Sequence, residues 1–476
     1  MFDMSVQSPP GRPPAAERSD KPGRSARSGL RALVLRLHFY AGVLVAPFLL
    51  VAAISGLLYA CSWQAEKIIY AEQLRVPASG ERLPLARQVE AARAVRPDGT
   101  VLAVRPSVEK GATTRVLMSA DGLDESEKLA VYVDPYRGDV KGELTVYGGS
   151  EALPVRAWLS RFHAHLHLGD AGRNYSEFAA SWLWVVAGGG LVLWVSRGRR
   201  RRRDLLVPDF KKPGRRGTLS LHGTVGIWSV AGLMFLSATG LTWSVNAGAR
   251  IDEIQKALNS SAPTLPGTSV GHHDGASHDH DHHAATDAVT GMGVDRILAA
   301  TRLDGPVEIV YPAEPGKAFV VKQIDSTVPL RQDSAAVDPT TGQVTGTLRF
   351  ADYPLFAKLT SIGVSAHMGQ LFGLANQLLL AALALGLVLL IMWGYLMWWR
   401  RGRHGFGRPV PRGAWRAVPL WALAPLVGGA VLAGGLVPMF GYPLAAFIVL
   451  DAAVGRVRSF RRRAAPVHHH YGEEGS

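Results

Sequence analysis

Histidine carries the candidate chemistry of this chain. The stretch Phe162 to Gly169, FHAHLHLG, places His163, His165 and His167 within five residues, just ahead of a long apolar run. On a strand all three would share one face, whereas on a helix they would fan around the axis. A second set, His272, His273, His278, His280, His282 and His283, lies in HHDGASHDHDHH. Imidazole mixed with carboxylate suits zinc, copper or nickel, so this tract reads as a metal-collecting tether or as a loosely selective metal buffer. His38 and His222 stand singly, each with a glycine four residues on, Gly42 and Gly226. On a helix each glycine shares the histidine's face, and a missing side chain there leaves room for a flat, bulky ligand such as a porphyrin.

Composition narrows what those imidazoles can serve. The chain has 476 residues, a formal charge of +14 and 47% hydrophobic residues, a combination that fits a membrane protein with basic cytoplasmic edges. One cysteine, Cys61, excludes disulfides, cysteine-ligated iron–sulfur clusters and covalently attached c-type haem. Any redox centre must then rest on histidine or on a bound organic cofactor. Neither a nucleophile triad nor a phosphate-binding loop is present, and no dinucleotide fingerprint is visible. The run Gly188-Gly189-Gly190 falls inside an apolar span and reads as helix-packing material.

The elements that must position the histidines are apolar segments long enough to span a bilayer. Four are expected, about His38–Trp63, Phe178–Ser196, Leu221–Val245 and Leu371–Trp399. Val418–Pro438 and Met439–Val454 are shorter, Gly/Pro-broken, and read as a final helical hairpin. Arginine-rich clusters follow the second, fourth and last spans, including Arg197–Asp204, Lys211–Arg216 and Arg456–Arg463. By the positive-inside rule they share the cytoplasmic side with the basic N-terminus, and both termini are then cytoplasmic. Because each cluster abuts a span, nucleic acid is not the expected partner. Domains follow in order: a disordered arm (1–29), a first span (30–63), an outer module (64–162), a second span with its His motif (163–197) and a basic loop (198–217). A third span (218–246), a second outer module (247–366) carrying the insertion 271–283, a fourth span (367–400) and a basic loop (401–417) come next. The hairpin (418–454) and a cytoplasmic tail (455–476) close the chain.

An internal repeat organises these parts. LHFYAGVLVAPFLLVAAISGLLY from Leu37 aligns with LHGTVGIWSVAGLMFLSATGLTW from Leu221 at an offset of 184, placing His38 on His222. VDPYRGDV from Val133 aligns with VDPTTGQV from Val337 at 204, which also carries His163 onto His367 and Gly169 onto Gly373. RPDGTVLAVRP from Arg96 matches RLDGPVEIVYP from Arg302 at 206. The unit is helix, outer α+β module, helix, twice over. Each module is expected to be one short helix (LARQVEAARAV; VDRILAATRL) on an antiparallel sheet, with Asp/Gly turns at VDP-x-x-G. The expected fold is a membrane helical bundle with two small outer α+β modules.

Intramembrane histidine is costly unless partnered, and is a functional candidate by default. Four occur at two repeat-equivalent positions: His38 and His222 at the cytoplasmic ends of spans one and three, His163 and His367 ahead of spans two and four. A pseudo-symmetric pair of helices offers the two opposed imidazoles that b-type haem needs. His38 with His222 could hold one haem and His163 with His367 another, stacked across the bilayer. Interfacial residues hydrogen-bonded to backbone or lipid are the bland alternative. His165 and His167 lack equivalents, since Gly369 and Leu371 stand at those places. Either one could line the outer site or replace His163 as ligand.

From about residue 30 to 403 the chain resembles the PepSY-associated transmembrane helix proteins, also described as iron-regulated membrane proteins. The resemblance rests on LRLHFYAGVLVAPFLLVAAISGLLY, HAHLHLGDAGRNYSEF, SLHGTVGIWS, SAHMGQLFGLANQLLLA with its terminal GYLMWWRRGR, and the twin VDP-x-x-G modules. It implies PepSY-like outer modules, a bacterial inner-membrane location and family histidines at His38, His163, His222 and His367. It also implies a two-haem conduit that reduces a periplasmic ferric siderophore, or another oxidised metal, and releases the iron. The electron donor would be a quinol or a cytoplasmic reductase. A rival from another class is a non-redox PepSY scaffold or regulator that binds peptide or inhibits a protease. A metal transporter fits less well, because no acidic or Met-rich intramembrane path is visible.

Overall fold

The computed structural model describes residues 22–124, 126–196, 206–265, 293–314, 316–328, 330–401 and 418–464. The insertion with His272, His273, His278, His280, His282 and His283 lies outside the described residues, as does the arginine cluster 197–204. Among the described residues, five helices are long and apolar enough to cross a membrane: α2 (Ala46–Ile69), α6 (Gly169–Val195), α7 (Gly214–Leu241), α11 (Leu374–Trp399) and α13 (Pro438–Ala464). α1 (Pro22–Leu44) leads into α2, and α12 (Leu420–Leu436) precedes α13. The short helices are α3 (Ala71–Leu74), α4 (Leu85–Val95), α5 (Pro154–His165), α8 (Val245–Ala257), α9 (Val294–Thr301) and α10 (Leu355–His367).

Several segment expectations are corrected. Of the arm expected over 1–29, residues 1–21 lie outside the described residues and the helix begins at Pro22. The first span is two helices, because Pro47 at the start of α2 has no N–H to offer the carbonyl of Val43. That carbonyl accepts instead from the Tyr395 hydroxyl at 2.9 Å. At the repeat-equivalent position α7 carries Ala231 and runs unbroken. His163 lies on α5, ahead of the second span as expected, whereas α12, at 17 residues, falls short of a membrane crossing.

The outer segments do not form two separate modules. Their strands, β1 (Val101–Arg105), β2 (Thr114–Met118), β3 (Glu127–Val133), β4 (Val140–Tyr147), β5 (Val307–Val310), β6 (Phe319–Gln323), β7 (Ser334–Val337) and β8 (Val344–Leu348), join one antiparallel sheet. Its order is β4-β3-β2-β1-β5-β6-β7-β8. At the central seam Ala103 pairs with Val310 and Val104 with Ile309. At the offset of 206 these two pairs interchange, the signature of a local two-fold. A half-sheet alone would expose β1 or β5 as an edge of unpaired backbone groups, and pairing the two removes that edge.

One face of the sheet packs its Val104, Val116, Val131, Ile309, Val321 and Val337 under α4 and α9. Asp295 of α9 accepts hydrogen bonds from the Leu85 and Ala86 amides at the start of α4, at 2.7 and 3.0 Å. The VDP-x-x-G turns form as expected. Asp134 Oδ1 accepts from the Tyr136 amide at 2.8 Å and Asp338 Oδ1 from the Thr340 amide at 2.8 Å. Gly138 and Gly342 then take φ of +79° and +70°, a region glycine enters without steric cost.

The opposite face buries charge. Glu308, 2% exposed, meets Arg105 at 2.5 Å and Lys322 at 2.9 Å, while Arg105 also reaches Glu151 at 2.6 Å. Burial alone would raise the Glu308 carboxyl, but Lys322, Arg105 and Lys128 reverse that and hold it well below the usual carboxylate range.

Candidate functional site

The two ends of the bundle each bring one repeat-related pair of histidines together. The His38 and His222 rings have centroids 6.3 Å apart, and those of His163 and His367 are 6.5 Å apart. An imidazole nitrogen bonds a transition metal at about 2 Å, with the ring centre about 1.2 Å behind it. Two imidazoles on opposite sides of one ion therefore put their centroids about 6.4 Å apart.

Each ring is oriented by a bond at Nδ1. His38 Nδ1 lies 2.9 Å from the Val186 carbonyl, and His222 Nδ1 lies 3.1 Å from the Leu390 carbonyl. A carbonyl only accepts, so Nδ1 donates in both and ligation falls to Nε2. His163 Nδ1 lies 2.9 Å from Ser55 Oγ, and His367 Nδ1 lies 2.7 Å from Thr239 Oγ1. Those hydroxyls donate to their own helix, Ser55 to Val51 at 2.8 Å and Thr239 to Phe235 at 2.8 Å. Their oxygens are thus left to accept from the ring. All four partners obey the repeat: Ser55 and Thr239 differ by 184, Val186 and Leu390 by 204. A carbonyl or hydroxyl behind the second ring nitrogen is the usual support of a metal-ligating histidine.

Glycines make the space. A Cβ at Gly42 would meet nothing within 4 Å, whereas one at Gly226 would touch Leu390 at an ordinary 3.7 Å. A Cβ at Gly190 would come within 3.3 Å of His38 Cε1, and one at Gly56 within 3.3 Å of His163 Cε1. The glycine run of α6, expected to serve helix packing, instead seats the His38 ring with Gly189 and Gly190.

A cavity of about 370 Å³ holds His38, His222, Gly42, Gly226 and Gly190 in its wall. Its lining is aliphatic and aromatic, with Arg31, Arg215 and Arg401 and no carboxylate. An apolar slot edged with guanidinium groups suits a flat ligand bearing acid groups. The two pairs are separated along the helices: His38 to Ser55, and His222 to Thr239, are each 17 residues, about 25 Å at helical rise.

His165 and His167 stand apart from this arrangement. α5 ends at His165, and Leu166 and His167 take φ of +53° each in the bend before α6. His167 is exposed, lies 5.1 Å from Trp158 and bonds that residue's carbonyl at 3.1 Å. The His165 ring lies 5.8 Å from His167. Neither is paired with His367, and among the described residues no three His, Cys, Asp or Glu side chains gather to hold a metal ion.

The model of the PepSY-associated TM region matches residues 35–401. The chain belongs to that family. With its five apolar helices, it is a multi-pass membrane protein of the PepSY-associated group. No curated protein matches the chain. All four paired histidines of this PepSY-associated protein fall inside the matched stretch, whereas α12 and α13 lie beyond it.

The residues sequence reasoning missed are Ser55, Thr239, the carbonyls of Val186 and Leu390, and the three arginines. Ser55 and Thr239 were visible as the aligned first residues of SGLLY and TGLTW. The carbonyls had no side-chain signal to give.

Proposed function

We propose that this protein is a transmembrane two-haem oxidoreductase. Electrons would pass from a quinol or a cytoplasmic reductase to a periplasmic ferric siderophore or other oxidised metal, which is reduced and released. The location would be a bacterial inner membrane with both termini cytoplasmic. The observation that carries the reading is the double one: two His–His pairs at ligation spacing, each imidazole held at Nδ1 by a repeat-equivalent acceptor. The residues would suit haem b, which His38 and His222 would hold at one site and His163 and His367 at the other. A haem so held would supply one-electron chemistry.

The chain's own residues do the rest. Ser55, Thr239 and the two carbonyls keep Nδ1 protonated, so Nε2 presents its lone pair. Gly42 and Gly190 keep the slot open at the inner pair, and Arg31, Arg215 and Arg401 would meet acid groups at its cytoplasmic edge. The apolar helix walls exclude water and lower the dielectric around both sites, which tunes their potentials. The His-rich insertion would bind divalent metal.

Purified full-length protein is expected to give a bis-imidazole b-type spectrum on reduction, with two haems per chain. His222→Ala and His367→Ala should each remove about one. Loss of both haems from either change would refute the pairing. Absence of haem from protein produced with ample haem would sink the oxidoreductase reading and leave the scaffold or peptide-binding role.

A further inference from the structure

The helices α12 and α13 lie outside the matched stretch 35–401, yet α13 grips the two elements that orient His38. On α1, Arg36 ion-pairs with Asp451 of α13, two residues before His38. Arg36 is 6% exposed and its guanidinium stands 5.6 Å over the Tyr40 ring, which in turn lies 5.5 Å from Phe447 of α13. On α6, Trp182 Nε1 donates to the Met439 carbonyl at 3.2 Å, and Phe440 lies 5.3 Å from both Trp182 and Trp184. Val186, whose carbonyl holds His38 Nδ1, follows one half-turn later on the same helix.

The brace has no counterpart in the second repeat unit. Positions 36 and 40 become Ser220 and Thr224, which offer neither a cation nor a ring. The asymmetry matches a mechanical one. α7 carries His222 on a continuous helix, whereas at the α1–α2 junction Pro47 cannot donate to the Val43 carbonyl. Val45 keeps helical dihedrals and bonds to Ala41 and Leu49, so the His38 segment meets α2 at a weakened turn. A helix with a weakened turn beside its ligand is held more firmly when something outside the helix braces it.

We propose that Asp451, acting through Arg36, is a positioning residue for the His38 imidazole. The ion pair pins this segment against α6, keeping Nδ1 on the Val186 carbonyl and the ring opposite His222. Within the bilayer an Arg–Asp pair persists because each charge without the other is costly to bury. Substitution of the acid therefore releases Arg36 toward the cytoplasmic surface and carries the start of α1 with it.

This inference rests on the haem reading, so wild-type haem content is measured first. Full-length wild type, Asp451→Asn, Asp451→Glu and Arg36→Lys are then titrated by spectroelectrochemistry. The inner transition is identified as the one that His222→Ala removes. Asp451→Asn is expected to change the inner reduction equilibrium about tenfold, about 59 mV for a one-electron couple, and the outer one by less than about twofold. Asp451→Glu should restore the inner transition. Two haems retained with an unmoved inner transition, or equal movement of both transitions, overturns the positioning role. If Asp451→Asn does not accumulate, Arg36→Lys is expected to move the same transition by a smaller amount, and no movement overturns the proposal. A wild type without haem overturns the proposed function itself, and this inference with it.

Discussion

Each paired histidine is defined by what stands behind it. An imidazole has two nitrogens, and a metal takes one only when the other's proton is settled elsewhere. At the inner pair the proton goes to helix carbonyls, and at the outer pair to hydroxyls already donating along their own helix. The outer pair is the easier to perturb without removing a ligand. Ser55→Ala and Thr239→Ala are each expected to keep the fold and weaken haem binding at the outer site by about 10- to 100-fold. Haem-loss kinetics on transfer to apomyoglobin would measure it, with the inner haem unaffected. A loss from the inner site would show that these hydroxyls do not act through His163 and His367. The run FHAHLHLG settles at this scale too. A helix end, not a strand, carries it, so its three imidazoles part and only His163 joins His367.

Elements are set by backbone constraints that single side chains impose. Pro47 breaks the first span, Gly169 and Gly373 take φ of +56° and +54° at the starts of α6 and α11, and the Asp–Gly turns fix the strand ends. In the sheet, the buried charges around Glu308 make an element-scale test. Its folded-state carboxyl lies below the ordinary value of 4.5, so the stability it contributes is fully present above that value and is lost as pH falls below it. Thermal unfolding should therefore show a stability plateau from neutrality down to about pH 4.5 and a decline below. Glu308→Gln should cost about 3–5 kcal/mol at pH 7, by leaving Arg105 and Lys322 unbalanced, and should flatten the acid decline. An acid decline of unchanged size in the variant would assign the pH dependence to other groups.

At the scale of the whole molecule, two chain halves share one sheet and one bundle. In the bundle α6 packs along α7 and α2 along α11, so each half's helices pair with the other half's. The seam of β1 and β5 does the same outside. Because α5 follows β4 and α10 follows β8, the seam also sets how His163 meets His367. The shared core under α4 and α9 predicts that the sheet unfolds as one unit. Val104→Ala, at a fully buried seam position, should lower hydrogen-exchange protection in β2–β3 and in β6–β7 by similar free energies of about 1 kcal/mol. Protection lost from the first half alone would mean that the halves fold separately.

Membrane spans, the repeat and the four paired histidines were legible in the sequence because hydropathy and periodicity are properties of order along the chain. The hydrophobic length of a span and the offset between two copies need no contact to be read. What joins across the repeat was not legible. No local pattern says that β1 will pair with β5, since each half-sheet reads as complete until its exposed edge is considered. Gly189 and Gly190 looked like packing residues because the ring they seat comes from position 38. The brace on the His38 segment arrives from Asp451, more than 400 residues away. Composition and order determined that histidines would stand at both ends of an apolar helical bundle. Only tertiary structure decided which imidazoles face each other, because backbone carbonyls and distant side chains, unmarked in the sequence, turn each ring.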